Sequence, residues 1–219
     1  MKLSNLFHLN WCATIALNRK AGGWKSAFRM PIKVYGPLRW HIGGSIVLPD
    51  NAMRNTLIIG SEHEDYTAPA GRAELRIDGR MVVNGIVRIG HDAFIGVAKG
   101  ASMSIGDGSF IGRDSQIHCS GSVTIGRDVF CGETYISDSS EHQIVAGGTK
   151  KEMVGSVTIG NGTYMGFRTM LLKDTNIPPR SVVASGAVCT KDFSGDGVEK
   201  KMIAGVPATI VADDVYAIK

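Results

Sequence analysis

No run of about 20 apolar residues, the length that a helix needs to cross a bilayer, occurs in this 219-residue chain. Its most apolar N-terminal stretch, Leu3 to Leu17, is interrupted by His8 and Asn10 and lacks a basic leader of the secretory kind. The expectation is a cytoplasmic protein without a transmembrane segment. Cysteine is scarce, at four residues, and no Cys-x-x-Cys pair exists, so neither a disulfide framework nor a zinc knuckle is expected. Blocks of like charge are missing too. The formal net charge is +4, and basic residues are scattered apart from Lys150-Lys151 and Lys200-Lys201, which gives no footprint for nucleic acid. Low-complexity sequence is also absent: the 28 glycines accompany 43% hydrophobic content, a combination unlike that of disordered chains.

What is present is a repeat. The pattern Ile-Gly-x-x-small-aromatic-x-Gly starts at Ile89, Ile105, Ile125 and Ile159 and ends at Gly96, Gly112, Gly132 and Gly166. Counting in sixes from the last anchor, Ile159, Met165, Leu171, Ile177, Val183 and Cys189 are all apolar. Four residues after each stand Thr163, Thr169, Thr175, Ser181, Ala187 and Phe193, five of them small. Ile77, Val83, Ile89 and Ile95, then Ile105, Ile111 and Ile117, keep the same rule, with slips near residues 101 and 123. An amphipathic helix repeats about every 3.6 residues and a strand every two, so this period suits a coil of short strands joined by tight corners. Large residues would fill the interior and small ones line the corners, with glycine supplying the conformations that the corners demand. Self-similarity of this kind marks a solenoid, and Cys131 and Cys189 fall in its inward register as reduced core residues.

These residues resemble the hexapeptide-repeat acyltransferases, closest in appearance to bacterial polysaccharide and sugar O-acetyltransferases. The resemblance runs from about Ile77 to Val211 and includes a closing segment, Ile203 to Val211. It implies an all-β fold, a left-handed parallel β-helix, with an irregular and partly helical N-terminal segment. The expected organisation is an N-terminal segment over 1–56, a β-helix over 57–211 with a loop insertion at 138–155, and a tail over 212–219. Within the first segment, Leu3 to Lys20 reads as a helix with Leu6, Leu9, Ala13 and Leu17 on one side, ended by Ala21-Gly22-Gly23. Pro31, Pro37 and Pro49 mark extended or turning pieces after it.

Acyl transfer from a thioester to a hydroxyl needs a base near neutrality, which points to histidine. His142 stands where the repeat breaks, and the segment from Asp138 to Ile144 resembles the family's catalytic Asp-x-x-x-His-x-Ile. Asp138, or else Glu141, is expected to hold the His142 tautomer. The resemblance further implies acetyl-CoA as cosubstrate, with Gly166, Ser185, Thr190 and Lys191 in the cofactor segment and Gly166 as a candidate oxyanion donor. Thr209 stands after Gly-x-Pro-Ala where many members carry a cation, which leaves the phosphates to Lys191, Lys200 or Lys201. A homotrimer, a small-molecule or saccharide acceptor and no bound metal complete the expectation.

Three competing readings stay open at this point. An amino-sugar amine or an antibiotic hydroxyl would use the same machinery. His91, His118 and His142 suggest a zinc-bearing β-helix, although close His-x4-His spacing is missing. A noncatalytic scaffold would need neither His142 nor the insertion.

Overall fold

A computed structural model describes residues 9–60 and 71–217. The chain winds through three flat faces in turn, and each strand pairs in parallel with the strand one coil earlier and one coil later. Face one stacks Ile32–Val34, Leu57–Ile59, Val87–Ile89, Phe110–Ile111, Phe130–Cys131, Tyr164–Met165, Val182–Val183 and Met202–Gly205. Face two runs from Leu38–Ile42 to Val188–Cys189, and face three from Ser45–Val47 to Thr175–Ile177.

The hexad count maps onto this register. On face one Ile59, Ile89, Ile111, Cys131, Met165, Val183 and Ile203 stand directly above one another, all fully buried. On face two Leu75, Ile95, Ile117, Ile136, Leu171 and Cys189 form the second column, and on face three Val83, Ile105, Ile125, Ile159 and Ile177 form the third. The core is therefore three columns of touching aliphatic side chains rather than a cluster. Burial pushes the thiols of Cys131 and Cys189 up to about 12, so both are neutral, inert filling.

The small residues at the corners are buried and supply hydrogen bonds. Ser109 and Ser115 donate to the carbonyls of Gly126 and Gly132 in the next coil, at 2.7 and 2.8 Å, and Thr175 donates to that of Cys189 at 2.9 Å. Carbonyls that turn inward at a corner are thus paired without water.

The glycines of the Ile-Gly pairs serve a different end from the one expected of them. None of Gly90, Gly106, Gly112, Gly126, Gly160 and Gly166 has a positive φ. A Cβ on Gly106 would lie 2.5 Å from the carbonyl of Gly126 one coil on, and one on Gly112 would lie 2.6 Å from the Cys131 oxygen. Close approach of successive coils demands glycine there. The left-handed conformation falls two residues later, where Asp92, Asp114 and Asp128 have φ of 58, 55 and 56°, and where the short polar side chain tolerates it.

The β-helix begins earlier than the repeat suggests. Ile32–Val34, Leu38–Ile42 and Ser45–Val47 make a complete first coil, in register with the strands that start at Leu57, Ala73 and Arg80. In this coil the exposed Trp40 stands where later coils carry the buried Leu75 and Ile95, so the apolar column is interrupted there. The helix before it, α1, spans Trp11–Arg29, starting later and ending later than the pattern of Leu6 to Leu17 implies; residues 3–8 lie outside the described part. Asn10 caps it through the Ala13 amide, and Gly22 and Gly23 kink it without ending it.

Helix α1 closes one end of the β-helix. Thr14 Oγ1 accepts from the Val34 amide, Asn18 Oδ1 accepts from the Ile32 amide, and Asn18 Nδ2 donates to the Ile32 carbonyl. Leu17, fully buried, covers the end of the core. At the other end Ala208–Ala212 folds back antiparallel on Met202–Gly205, and the buried Lys201 ammonium is held by the Phe193 carbonyl and Asp196.

Gly106→Ala is expected to cost about 3 kcal/mol by forcing two coils apart, against about 1 kcal/mol for Gly100→Ala, which has φ of 84° and open space around it. Urea unfolding checks the order; a larger loss at Gly100 would show that dihedral freedom, not close approach, is what the Ile-Gly pair supplies.

Candidate active site

Both slips of the repeat and its insertion fall on one edge, the corner between faces two and three. The slip near residue 101 is the widened turn Ala98 to Ala101, and the slip near 123 is the tight bend Ser120-Gly121. One coil later the insertion leaves the same corner after Thr134–Ser137 and returns at Ser156–Ile159. The sixth coil restores the hexad through Leu172, Lys173 and Asp174.

The insertion is an ordered hairpin. Ser140 N–H donates to the Met153 carbonyl and Gly155 N–H to that of Asp138, closing its stem, and Val145–Ala146 pairs antiparallel with Thr149–Lys150. Gly147 and Gly148 both have positive φ, 58 and 75°, as a two-residue turn of this hand requires. Residues 141–154 are exposed throughout, and Ile144, Val145, Met153 and Val154 put apolar side chains into solvent.

His142 sits in this hairpin, exposed, and its ring has no hydrogen-bond partner among the described residues. Asp138 is not placed to orient it: its carboxylate is fully buried and accepts the amides of Ser120 and Gly121 at 2.7 and 2.8 Å. Asp138 therefore ties the root of the hairpin to the corner one coil earlier. The same carboxylate, after burial, is a cause of the Cys119 thiol being pushed up to about 12. Glu141 is exposed with φ of 58°, and its amide, not its carboxylate, is engaged, to Ser139 Oγ. Two other histidines do carry a carboxylate: His41 Nε2 lies 3.0 Å from Asp78, and His91 Nδ1 lies 2.8 Å from Asp92, although His91 is buried at another corner.

A groove of about 550 Å³ runs along the irregular edge on the N-terminal side of the hairpin, lined by Arg76, Asp78, Lys99, His118 and Ser120 among others. His41 and Arg76 both engage Asp78 on its wall, at 3.0 and 3.4 Å. Gly96 leaves room for the Phe94 ring, which lies 3.0 Å from where a Cβ would stand, and the rings of Phe94, His118 and Tyr135 climb face two as tilted neighbours with centroids 4.9 and 5.5 Å apart. No spacing in the sequence announces this ladder, because its members come from three coils and are neighbours only through the register.

On the C-terminal side of the hairpin the same edge carries Thr190 and Lys191, both exposed, with the Lys191 ammonium 5.5 Å from the Phe193 ring. Gly166 and Ser185 lie together at the opposite corner of face two, where Ser185 Oγ accepts the Phe167 amide at 3.2 Å. The expected cofactor residues thus form two pairs on either side of face two. The Gly166 amide donates to the Val183 carbonyl at 2.9 Å, so it belongs to the coil ladder and is not available to an oxyanion. Lys201 is buried in its own clasp, and Lys200 pairs with Asp214 at 3.0 Å beneath Tyr216, which leaves Lys191 as the exposed cation of the three.

Among the described residues no group of three His, Cys, Asp or Glu is arranged to hold a metal ion, and His91, His118 and His142 stand on separate elements. No helix of the described residues is long and apolar enough to cross a membrane.

No protein-family profile matches the sequence, and no curated protein matches it. Solved structures do. The polySia-specific acetyltransferase NeuO aligns over 86% of this chain and 79% of its own, with a TM-score of 0.56 and 20% identity. The polysialic acid O-acetyltransferase OatWY aligns over 86% and 87%, with a TM-score of 0.43 and 20% identity. A hexapeptide-repeat-containing acetyltransferase from Vibrio cholerae aligns over 51% and 62%, with a TM-score of 0.43 and 22% identity. The likeness to the polySia-specific enzyme is one of fold: this chain is a left-handed parallel β-helix of hexapeptide coils.

Proposed function

We propose that the chain is an acetyl-CoA-dependent O-acetyltransferase acting on a hydroxyl of a sugar or surface-polysaccharide precursor, with His142 as general base. The observation that carries this reading is the position of His142 on the irregular edge. The hairpin that bears it separates a groove, to which the aromatic ladder contributes His118, from the Thr190-Lys191 corner. The ladder of Phe94, His118 and Tyr135 offers flat faces of the kind that sugar C–H surfaces pack against, and Arg76, Lys99 and Asp78 offer polar partners for hydroxyls. The acceptor takes the groove, and coenzyme A takes the later coils, with Lys191 toward phosphate.

In the reaction the acceptor oxygen attacks the thioester carbonyl while the His142 ring accepts its proton. Collapse of the tetrahedral intermediate breaks the C–S bond, and His142 returns the proton to the departing thiolate, giving an ester and coenzyme A. Asp138 acts on this step indirectly, by fixing where the hairpin leaves the coil. Acetyl-CoA is the fitting acyl donor in a fold shared with the polySia-specific acetyltransferase.

The exposed apolar side chains of the hairpin, Ile144, Val145, Met153 and Val154, support assembly with further copies of the chain. A homotrimer covers them and completes each site with a neighbour's surface. Light scattering is expected to return three chain masses of 23.4 kDa each; a monomer that turns over acetyl-CoA at full rate would remove this part of the proposal.

His142→Ala is expected to lower kcat by roughly 10²- to 10⁴-fold with an unchanged unfolding midpoint and retained acetyl-CoA binding by calorimetry. Lys191→Ala is expected to do the reverse, weakening acetyl-CoA binding about tenfold with little change in kcat at saturation. The assay is acetyl transfer from labelled acetyl-CoA to a panel of sugars, amino sugars and antibiotics. Normal turnover by His142→Ala would eliminate it as the base, and no saturable acetyl-CoA binding by the wild type would favour a scaffold. Asp138→Asn places an amide donor against two backbone donors, and is expected to cost about 1–3 kcal/mol of stability together with activity. An activity loss with no change in unfolding would return Asp138 to an orienting role at His142.

A further inference from the structure

The positive charge that looks scattered along the chain is concentrated at one end. Residues 1–60 hold eight Lys and Arg against a single acid, Asp50, a formal charge of +7, whereas the whole chain carries +4. Residues 61–219 are thus net negative, and the basic pI of about 8.9 belongs to the N-terminal end alone.

The same end exposes its aromatic side chains. The first half of α1 buries Ala13, Leu17 and Asn18 on the first coil. Gly22, with φ of −155° and ψ of 21°, and Gly23, with φ of 68° and ψ of −163°, then break the helical path. After the break, Trp24 and Phe28, four residues apart and so on one side of the turn, are 60% and 81% exposed. Met53, 75% exposed, shares a surface depression with Phe28 that also includes Arg29 and Arg54. Among the described residues none of Arg19, Lys20, Lys25, Arg29 and Arg54 makes an ion pair, and the Arg19 guanidinium lies 4.8 Å over the Trp24 ring. The buried Lys33 nearby is held below the usual lysine range, first by burial and then by the Arg54 charge.

We propose that this end of the β-helix docks on an anionic lipid bilayer, with Trp24, Phe28 and Met53 entering the interface and the five unpaired cations facing lipid headgroups. A soluble polyanion would neutralise the cations but leave the three apolar side chains in water, whereas an anionic bilayer satisfies both. The patch precedes the first coil and His142 leaves the fifth. At about 4.8 Å per coil the hairpin stands roughly 19 Å along the axis from the first coil, so docking through the end keeps His142 clear of the bilayer. The proposal does not depend on the acetyl-transfer reading.

The test is sedimentation of the full chain with vesicles of phosphatidylcholine alone and of phosphatidylcholine mixed equally with phosphatidylglycerol. Binding is expected to the mixed vesicles only and to fall with added salt. Lys25→Gln with Arg29→Gln is expected to weaken it about 25-fold, at about fivefold per cation. Trp24→Ser with Phe28→Ser is expected to abolish it at unchanged charge, with thermal unfolding and the mass from light scattering unchanged. Equal sedimentation with both vesicle types, or binding that survives the aromatic pair, would overturn the proposal. So would a change of mass in the aromatic variant, which would make the patch a joint between copies of the chain.

Discussion

The vertical stacking of one coil on the next governs everything else in this molecule. Each coil hands its N–H and C=O groups to its neighbours along the axis, so the structure has no polar backbone left to satisfy in its core, only at its corners and ends. The spacing that these bonds impose is what forbids a Cβ at Gly106 and Gly112, and what places Ile105 directly over Ile125. The corner hydroxyls of Ser109 and Ser115, and the asparagine and threonine of α1, answer the same requirement at different places.

Much of this was legible from the residues. Columns of Ile, Val and Leu at intervals of six announced the core from Ile77 onward, because an inward position on a short flat strand accepts little else. The first coil was not legible, since Tyr35 follows Val34 where Gly60 and Gly90 follow the paired Ile59 and Ile89, and Trp40 stands where later coils keep Leu75 and Ile95; only pairing with Leu57–Ile59 makes Ile32–Val34 part of the β-helix. The Ile-Gly pairs were visible, but their purpose was not: a contact between glycine and the backbone some twenty residues away has no local signature.

The candidate site shows the same division. His142 stood out because it lies in the largest gap of the repeat. The partners of Asp138 did not, because they are amides at Ser120 and Gly121 and leave no mark on side-chain spacing. Nor did the relation among the interruptions: a widened turn at Ala98, a tight bend at Ser120 and a long hairpin after Asp138 look unrelated along the chain, yet they lie one above another on a single edge. Three hexads of constant length would make three equivalent edges, and varying the one between faces two and three creates the groove and the hairpin without disturbing the columns.

On face one both ends of the stack are closed, one by Thr14 and Asn18 and the other by the antiparallel return of Ala208–Ala212. A stack of parallel coils is otherwise an open template, to which another chain's strand can add as readily as its own next coil. With the terminal rungs of face one occupied by side chains at one end and by a reversed strand at the other, the stack has a length set on that face by its own sequence. It stays a rod of finite size instead of a segment of a fibre.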